Sequence, residues 1–356
     1  MYHYLSPNNS YKMRNIYLYT ITLALFISSC SSSRQTVVEK DKINVIFDTD
    51  IGNDVDDALA LDMLYKYADA GKIKLLGICI NKNGVYSAEF VDILNTWYGY
   101  KNTPIGIIHN GVECEDDAIN YAMKVCKQKG DNNELLYKRN INDYERLPEA
   151  HILYRKILAR QPDSSITIIS TGFSTNLYRL LNTNADQYSP LRGYELIKRK
   201  VKRLIMMAGC FNNPRMHEYN VVKDIQAAKR IFDTWPTTIV TSPFELGAKI
   251  LYPAKSIEND FNWIKHHPVV DSYKSYLKMP YDRPTWDLTT VLYGVEGSLW
   301  FSLSKGGYIT VDDNGTTIFR PDERGNRYYL MATQEQCKAI KDQFIKIITR
   351  RPKHIK

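Results

Sequence analysis

Residues 43–61 read INVIFDTDIGNDVDDALAL. The opening run, residues 43–47, is mostly apolar and suits a buried strand, and a helical pattern follows over 55–69. Between them Asp48, Asp50, Asp54, Asp56 and Asp57 crowd a single strand-to-helix turn. In an open α/β sheet such a turn sits at the carboxyl end of a strand, where these sheets bind ligands. Carboxylates this close repel one another, so some must hold protons or a cation must neutralise them. An all-oxygen donor set favours a hard ion, calcium or magnesium. Helix capping accounts for one or two acids near a helix amino terminus but not for this many.

Two other acidic patterns fit less well. Phosphatases with a nucleophilic aspartate also open strand-DxD, but carry Thr or Val where this chain has Gly52. Calcium loops of the EF-hand type want Gly at the sixth position and Glu at the twelfth; counted from Asp48, these places hold Asn53 and Leu59.

Outward from this turn, strand-like runs at 43–47, 73–80, 104–108, 166–170, 204–208 and 238–241 alternate with helical patterns at 55–69, 87–99, 149–160, 175–182, 224–234 and 244–251. The alternation predicts an α/β fold: an open, mostly parallel, Rossmann-like sheet with helices on both faces. Residues 111–147 are polar and poor in strand signals, and read as a long excursion, a lid or extra helices. TVDDNGTTIF at 310–319 carries Asn314-Gly315, a hairpin signal, and 334–349 reads as a closing helix.

The chain has 356 residues, 44% hydrophobic and 24% charged, enough for a sizeable core. Its formal charge of +8 is scattered. The one basic cluster, Lys198, Arg199, Lys200, Lys202 and Arg203, reads as a solvated loop before a strand, so no nucleic-acid partner is expected. Among the cysteines no pair has metal-ligand spacing, and Cys79 and Cys210 sit in apolar runs as core residues.

The amino terminus reads as an address. Residues 16–27, IYLYTITLALFI, are too short to span a bilayer comfortably and suit the apolar region of a signal peptide, with Lys12 and Arg14 as the positive flank. Ile27-Ser28-Ser29-Cys30 resembles the lipobox of bacterial lipoproteins, in which the cysteine is lipidated. The expected organisation is a signal peptide over 1–29, with a true start at Met13 as an option, a lipidated Cys30 and polar tether over 30–42, and one domain over 43–350. This implies attachment to a bacterial membrane through a lipid at Cys30, facing the periplasm or the cell exterior.

The DTD…DDALAL pattern resembles the opening of the inosine–uridine nucleoside hydrolases, and three further motifs follow in order. ITIISTGFSTNL at 166–177 is similar to that family's strand with a Thr-Gly turn and a Thr-Asn pair. MAGCFNNPRMHEYNVVKDIQAA at 207–228 is similar to its ribose-binding segment, an Asn followed six residues later by Glu-aromatic-Asn. PTWDLT at 284–289 places Asp287 where the family has a metal-binding aspartate at a helix start. The resemblance covers roughly residues 43–295.

The resemblance implies calcium-dependent hydrolysis of the N-glycosidic bond of a ribonucleoside. Asp50, Asp57, Asp287 and the Thr171 carbonyl would hold Ca2+. Asp50 would also be the general base that activates the attacking water. Asp56, Asn212, Glu218 and Asn220 would grip the ribose, and Asn81, with Asn83 as the competing choice, would match a family active-site asparagine. A homo-oligomer is an option the family leaves open.

Two departures stand out. The stretch from Asp50 to Asp56 is two residues longer than usual and contains Asp54, which joins the metal shell or faces solvent. The residue before Asp287 is Trp286, where many members have a histidine that assists the departing base. An indole can stack on a planar ring but cannot donate as an imidazolium does. His217 and tyrosines of the excursion are candidate substitutes. The alternative function is a nucleoside- or ribose-binding lipoprotein without turnover.

Overall fold

The computed structural model describes residues 42–113 and 118–355. The apolar leader, Cys30 and most of the tether lie outside the described residues.

Six parallel strands form the centre of the sheet: β1 (Ile43–Thr49), β2 (Ile73–Ile80), β3 (Ile105–Gly106), β4 (Ile166–Ser170), β5 (Val201–Met207) and β6 (Thr238–Ser242). They lie in the order β3-β2-β1-β4-β5-β6. The order reverses between β1 and β4, and the crevice at such a reversal is where open α/β sheets take ligands. β1 runs parallel to both neighbours, with Ile43 opposite Ile73 and Asn44 opposite Ile166.

Side chains alternate across a strand, and the core divides accordingly. Val45 and Phe47 of β1, Ile169, Ile205 and Val240 pack on one face with the helices Asp56–Asp69 and Trp286–Glu296. Ile46, Ile168, Leu204, Met206 and Ile239 pack on the other with Ala150–Ala159, Thr175–Leu181 and Ile225–Thr234. The predicted sheet with two helical layers is therefore present.

Beyond β6 the chain adds β7 (Leu251–Tyr252), β8 (Arg283–Pro284), β9 (Ser302–Leu303), β10 (Gly307–Val311), β11 (Thr317–Pro321) and β12 (Arg327–Met331). β7 and β8 form a small antiparallel ribbon. β12 extends the sheet parallel to β6, and β10 and β11 close that edge as the hairpin expected at Asn314-Gly315, with Gly315 at φ 86°. A positive φ at that position suits glycine.

The basic cluster departs from its reading as a loop. Residues Gly193–Lys200 form a helix that runs directly into β5, and Arg199 and Lys200 pair with Asp163. Cations in the last turn offset the negative end of the helix dipole, a signal the loop reading passed over. The excursion holds one short helix, Tyr121–Cys126, among the described residues. Its irregular part is pinned by Asp92, whose carboxylate accepts from the backbone N–H of Asn140 and Ile141 and from the Tyr144 hydroxyl, each at 2.9 Å.

Candidate active site

The carboxyl ends of β1, β4 and β5 open into a cavity of about 210 Å³. Asp56 and Asp57 enter it from the first turn of the helix Asp56–Asp69, and Asp287 from the first turn of Trp286–Glu296. Both helices present their positive ends here, which favours negative charge. Asp56 Oδ2 accepts from the Asp287 backbone N–H at 3.1 Å, so the first helix caps the second. Asp57 accepts from the hydroxyls of Thr49 and Thr171. Carboxylate oxygens of Asp56, Asp57 and Asp287 all lie within 4.8 Å of one another, and all three residues are buried.

Burial first, then repulsion by neighbouring carboxylates, Asp50 and Asp54 among them, drives these three carboxyls well above the usual carboxylate range. Asp50, half-buried, lines the same cavity, and its charge adds to the upward shift of Asp57, Asp287 and Glu218 behind the larger effect of burial. The site thus gathers anionic oxygen whose charge is compensated only in part. That donor set fits a hard divalent cation. The Thr171 carbonyl accepts from Asn220 Nδ2 at 3.0 Å, and its second lone pair leaves capacity for a ligand bond.

Thr171 is followed by Gly172 for a steric reason. A Cβ at Gly172 would stand 2.5 Å from Asn81 Oδ1 and 2.7 Å from the Asp50 backbone nitrogen. Only glycine lets the β4 turn approach the β1 turn this closely.

At the β5 side Glu218 is 2% exposed. Its carboxylate accepts from the backbone N–H of Asn220 at 2.8 Å, Gly209 at 3.1 Å and Val221 at 3.2 Å. Burial nevertheless pushes it up to about 7. Asn220 Nδ2 bridges the carbonyls of Thr171 and Met207, tying the β5 segment to the β4 turn.

Aromatic rings complete the wall: Phe173, Tyr219, Phe244, Tyr276 and Trp286. Trp286 is fixed. Its Nε1–H donates to the Phe244 carbonyl at 3.0 Å, its ring stacks on Phe244 at 5.4 Å, and the Arg283 guanidinium lies 5.2 Å from it. A Cβ at Gly247 would come within 2.5 Å of the Trp286 backbone, so that close approach also requires glycine. Arg283 also lies 5.0 Å from the Tyr276 ring and forms an ion pair with Asp54. Asp54, which also lines the cavity, is thus engaged by Arg283.

The expected site residues are not all brought together. Asp50, Asp56, Asp57, Thr171, Glu218, Asn220, Trp286 and Asp287 line one cavity. The three carboxylates drawn closest include Asp56, expected on the sugar, and not Asp50, expected on the metal. Asn81 stands behind the wall, with its Nδ2 donating to Asp48 Oδ1, and Asn83 bonds Gly111 and Glu113. Asn212 is exposed on the loop before Glu218 and is absent from the cavity lining. His217 is exposed on the same loop. The lysine the motifs passed over is Lys82, which is buried and lines the cavity. Its signal was its place, directly past the second strand.

Buried carboxylates thus line a pocket at the turning point of the α/β sheet. The chain belongs to the inosine-uridine preferring nucleoside hydrolase family, whose pattern matches residues 45–342. The fold is similar to that of a plant nucleoside hydrolase, at TM-score 0.67 and 17% identity over 87% of this chain and 100% of that one. It is also similar to a purine-preferring ribonucleoside hydrolase from Gardnerella vaginalis, at 0.65 and 15% over 86% and 98%. An inosine-uridine preferring nucleoside hydrolase from Bacillus anthracis aligns at 0.59 and 16% over 86% and 99%. Among curated proteins no match is found. Family members are metal-dependent, and the Asp56, Asp57 and Asp287 cluster could hold an ion.

Proposed function

We propose that this enzyme hydrolyses the N-glycosidic bond of a ribonucleoside with a bound calcium ion, releasing ribose and free base. The observation that carries this reading is the convergence of Asp50, Asp56, Asp57 and Asp287 with Glu218 and Asn220 in one cavity. Asp50, Asp57, Asp287 and the Thr171 carbonyl are the proposed calcium ligands, and Asp56 is the proposed contact to the sugar. Calcium, when bound, lowers the pKa of water and clamps the sugar diol. Asp50 takes the proton of the attacking water. Glu218 and Asn220 fix the ribose hydroxyls, so that sugar binding orients the reacting carbon. The aromatic wall shields the bound nucleoside from water.

The test is release of reducing sugar from a panel of purine, pyrimidine and nicotinamide ribosides. We expect release with added calcium and loss with chelator. If no riboside yields ribose while calcium still binds, the reading gives way to the non-catalytic binding protein, which the fixed indole N–H of Trp286 would suit.

From the apolar leader and the lipobox-like Ile27-Ser28-Ser29-Cys30 we further propose that the enzyme stands outside the cytoplasm, held to a membrane by a lipid on Cys30, where it would meet nucleosides before uptake. Labelled fatty acid fed to cells should enter the wild-type chain and not a Cys30→Ser variant. Equal labelling of both would remove the anchor.

A further inference from the structure

Lys82 is the cavity group that the proposed chemistry leaves without a role. It is 3% exposed, although lysine is seldom buried unless paired. Its ammonium donates to the side-chain oxygen of Asn53, a neutral partner. Its charge acts on the site, holding Asp57 lower than burial alone would place it. An ammonium has three donors, and the bond to Asn53 takes one of them.

Its position follows from the sheet. The cavity is lined in order by residues beyond β5 (Glu218, Asn220), β4 (Thr171, Phe173), β1 (Asp50 to Asp57) and β2 (Lys82). The acceptors that would grip sugar hydroxyls therefore stand at one end and the ammonium at the other. A ribose held at β5 and at β1 would leave the β2 end of the cavity, where Lys82 stands, for its base. Trp286 cannot donate to that base, because its N–H is already given to Phe244.

We infer that Lys82 is the catalytic residue that meets the departing base, donating a hydrogen bond to it as the glycosidic bond breaks. The inference rests on the hydrolase reading. The electron pair of the C1′–N bond passes to the base nitrogen, the water oxygen bonds to C1′, and Asp50 takes one water proton. The Lys82 ammonium offsets the charge that develops on the base, which acquires its proton from solvent on release, while Asp50 later returns its own.

The experiment compares Lys82→Met, Lys82→Gln and Lys82→Arg on two kinds of substrate. One is the best natural nucleoside; the other is 4-nitrophenyl riboside, whose leaving group departs as a stable anion and needs no donor. Gln keeps a donor for Asn53 and removes the charge. For Met and Gln we expect kcat on the nucleoside to fall about 100-fold, against no more than about threefold on the nitrophenyl riboside. KM and calcium affinity by calorimetry should stay close to wild type, and Arg should recover part of the loss. If Met proves unstable on melting, Gln and Arg carry the comparison. Equal losses on both substrates would mean that Lys82 only holds the Asn53 loop, and no loss would mean that it has no part; either overturns the inference. A wild-type enzyme that releases ribose from neither substrate defeats the hydrolase reading itself, and the inference with it.

Discussion

An Asp50→Ala variant is expected to release ribose at least about 10³-fold more slowly than the wild-type enzyme, because one substitution removes a proposed metal ligand and the proposed base. Asp50 remains half-buried, as does Asp54, which Arg283 engages, while Asp56 and Asp57 are closed in. It therefore combines access to solvent, which a base exchanging protons with water needs, with proximity to the buried cluster. The Ala variant should also bind calcium more weakly by calorimetry. Asp50→Asn separates the roles: it keeps an oxygen ligand and loses the base, so it should retain more calcium affinity than Ala while remaining nearly inactive. Near-wild-type turnover in the Ala variant would sink the proposed mechanism.

The second large effect belongs to Glu218. Its carboxylate accepts three backbone N–H groups and also stands at the sugar end of the cavity. Gln at this place supplies one acceptor oxygen and turns an NH2 group toward a backbone donor. We expect Glu218→Gln to lower kcat/KM by roughly 10- to 100-fold, the scale of a hydrogen bond to a charged group, and to reduce stability by about 1–3 kcal/mol through the unsatisfied donor. The loss should depend on the sugar: substrates that lack a hydroxyl normally gripped by Glu218 should be penalised less. A uniform penalty across sugars would assign Glu218 to loop support alone.

The layered sheet was legible in the sequence because strand and helix periods alternate cleanly from residue 43. Most of the cavity was legible because its residues fall in four ordered motifs at strand ends. What escaped is instructive at single positions. Asn81 and Lys82 are neighbours past β2, and in extended chain neighbours point to opposite sides. Asn81 faces Asp48, behind the wall, and Lys82 faces the cavity, so the asparagine matched by motif is one residue from the side chain that lines the site. Asn212 keeps the motif spacing from Glu218, yet spacing fixes distance along the chain and not the path of an exposed loop. The longer acidic turn hid its partners too. Asn53 bonds Lys82, and Asp54 bonds Arg283, more than two hundred positions away. No local pattern encodes a contact of that separation.

The helix Asp56–Asp69, which carries two of the site's carboxylates, is fastened at its far end by Lys66. That buried lysine pairs with Asp62 and donates to the backbone carbonyls of Ile348 and Arg350, at the close of the terminal helix Gln334–Ile348. The helix Asp56–Asp69 thus lacks these partners until residues 348–350 have been made. Such distant pairing slows folding. In the export proposed above, a delay of that kind would be useful: the chain would stay unfolded, and therefore transportable, until residues 348–350 are available.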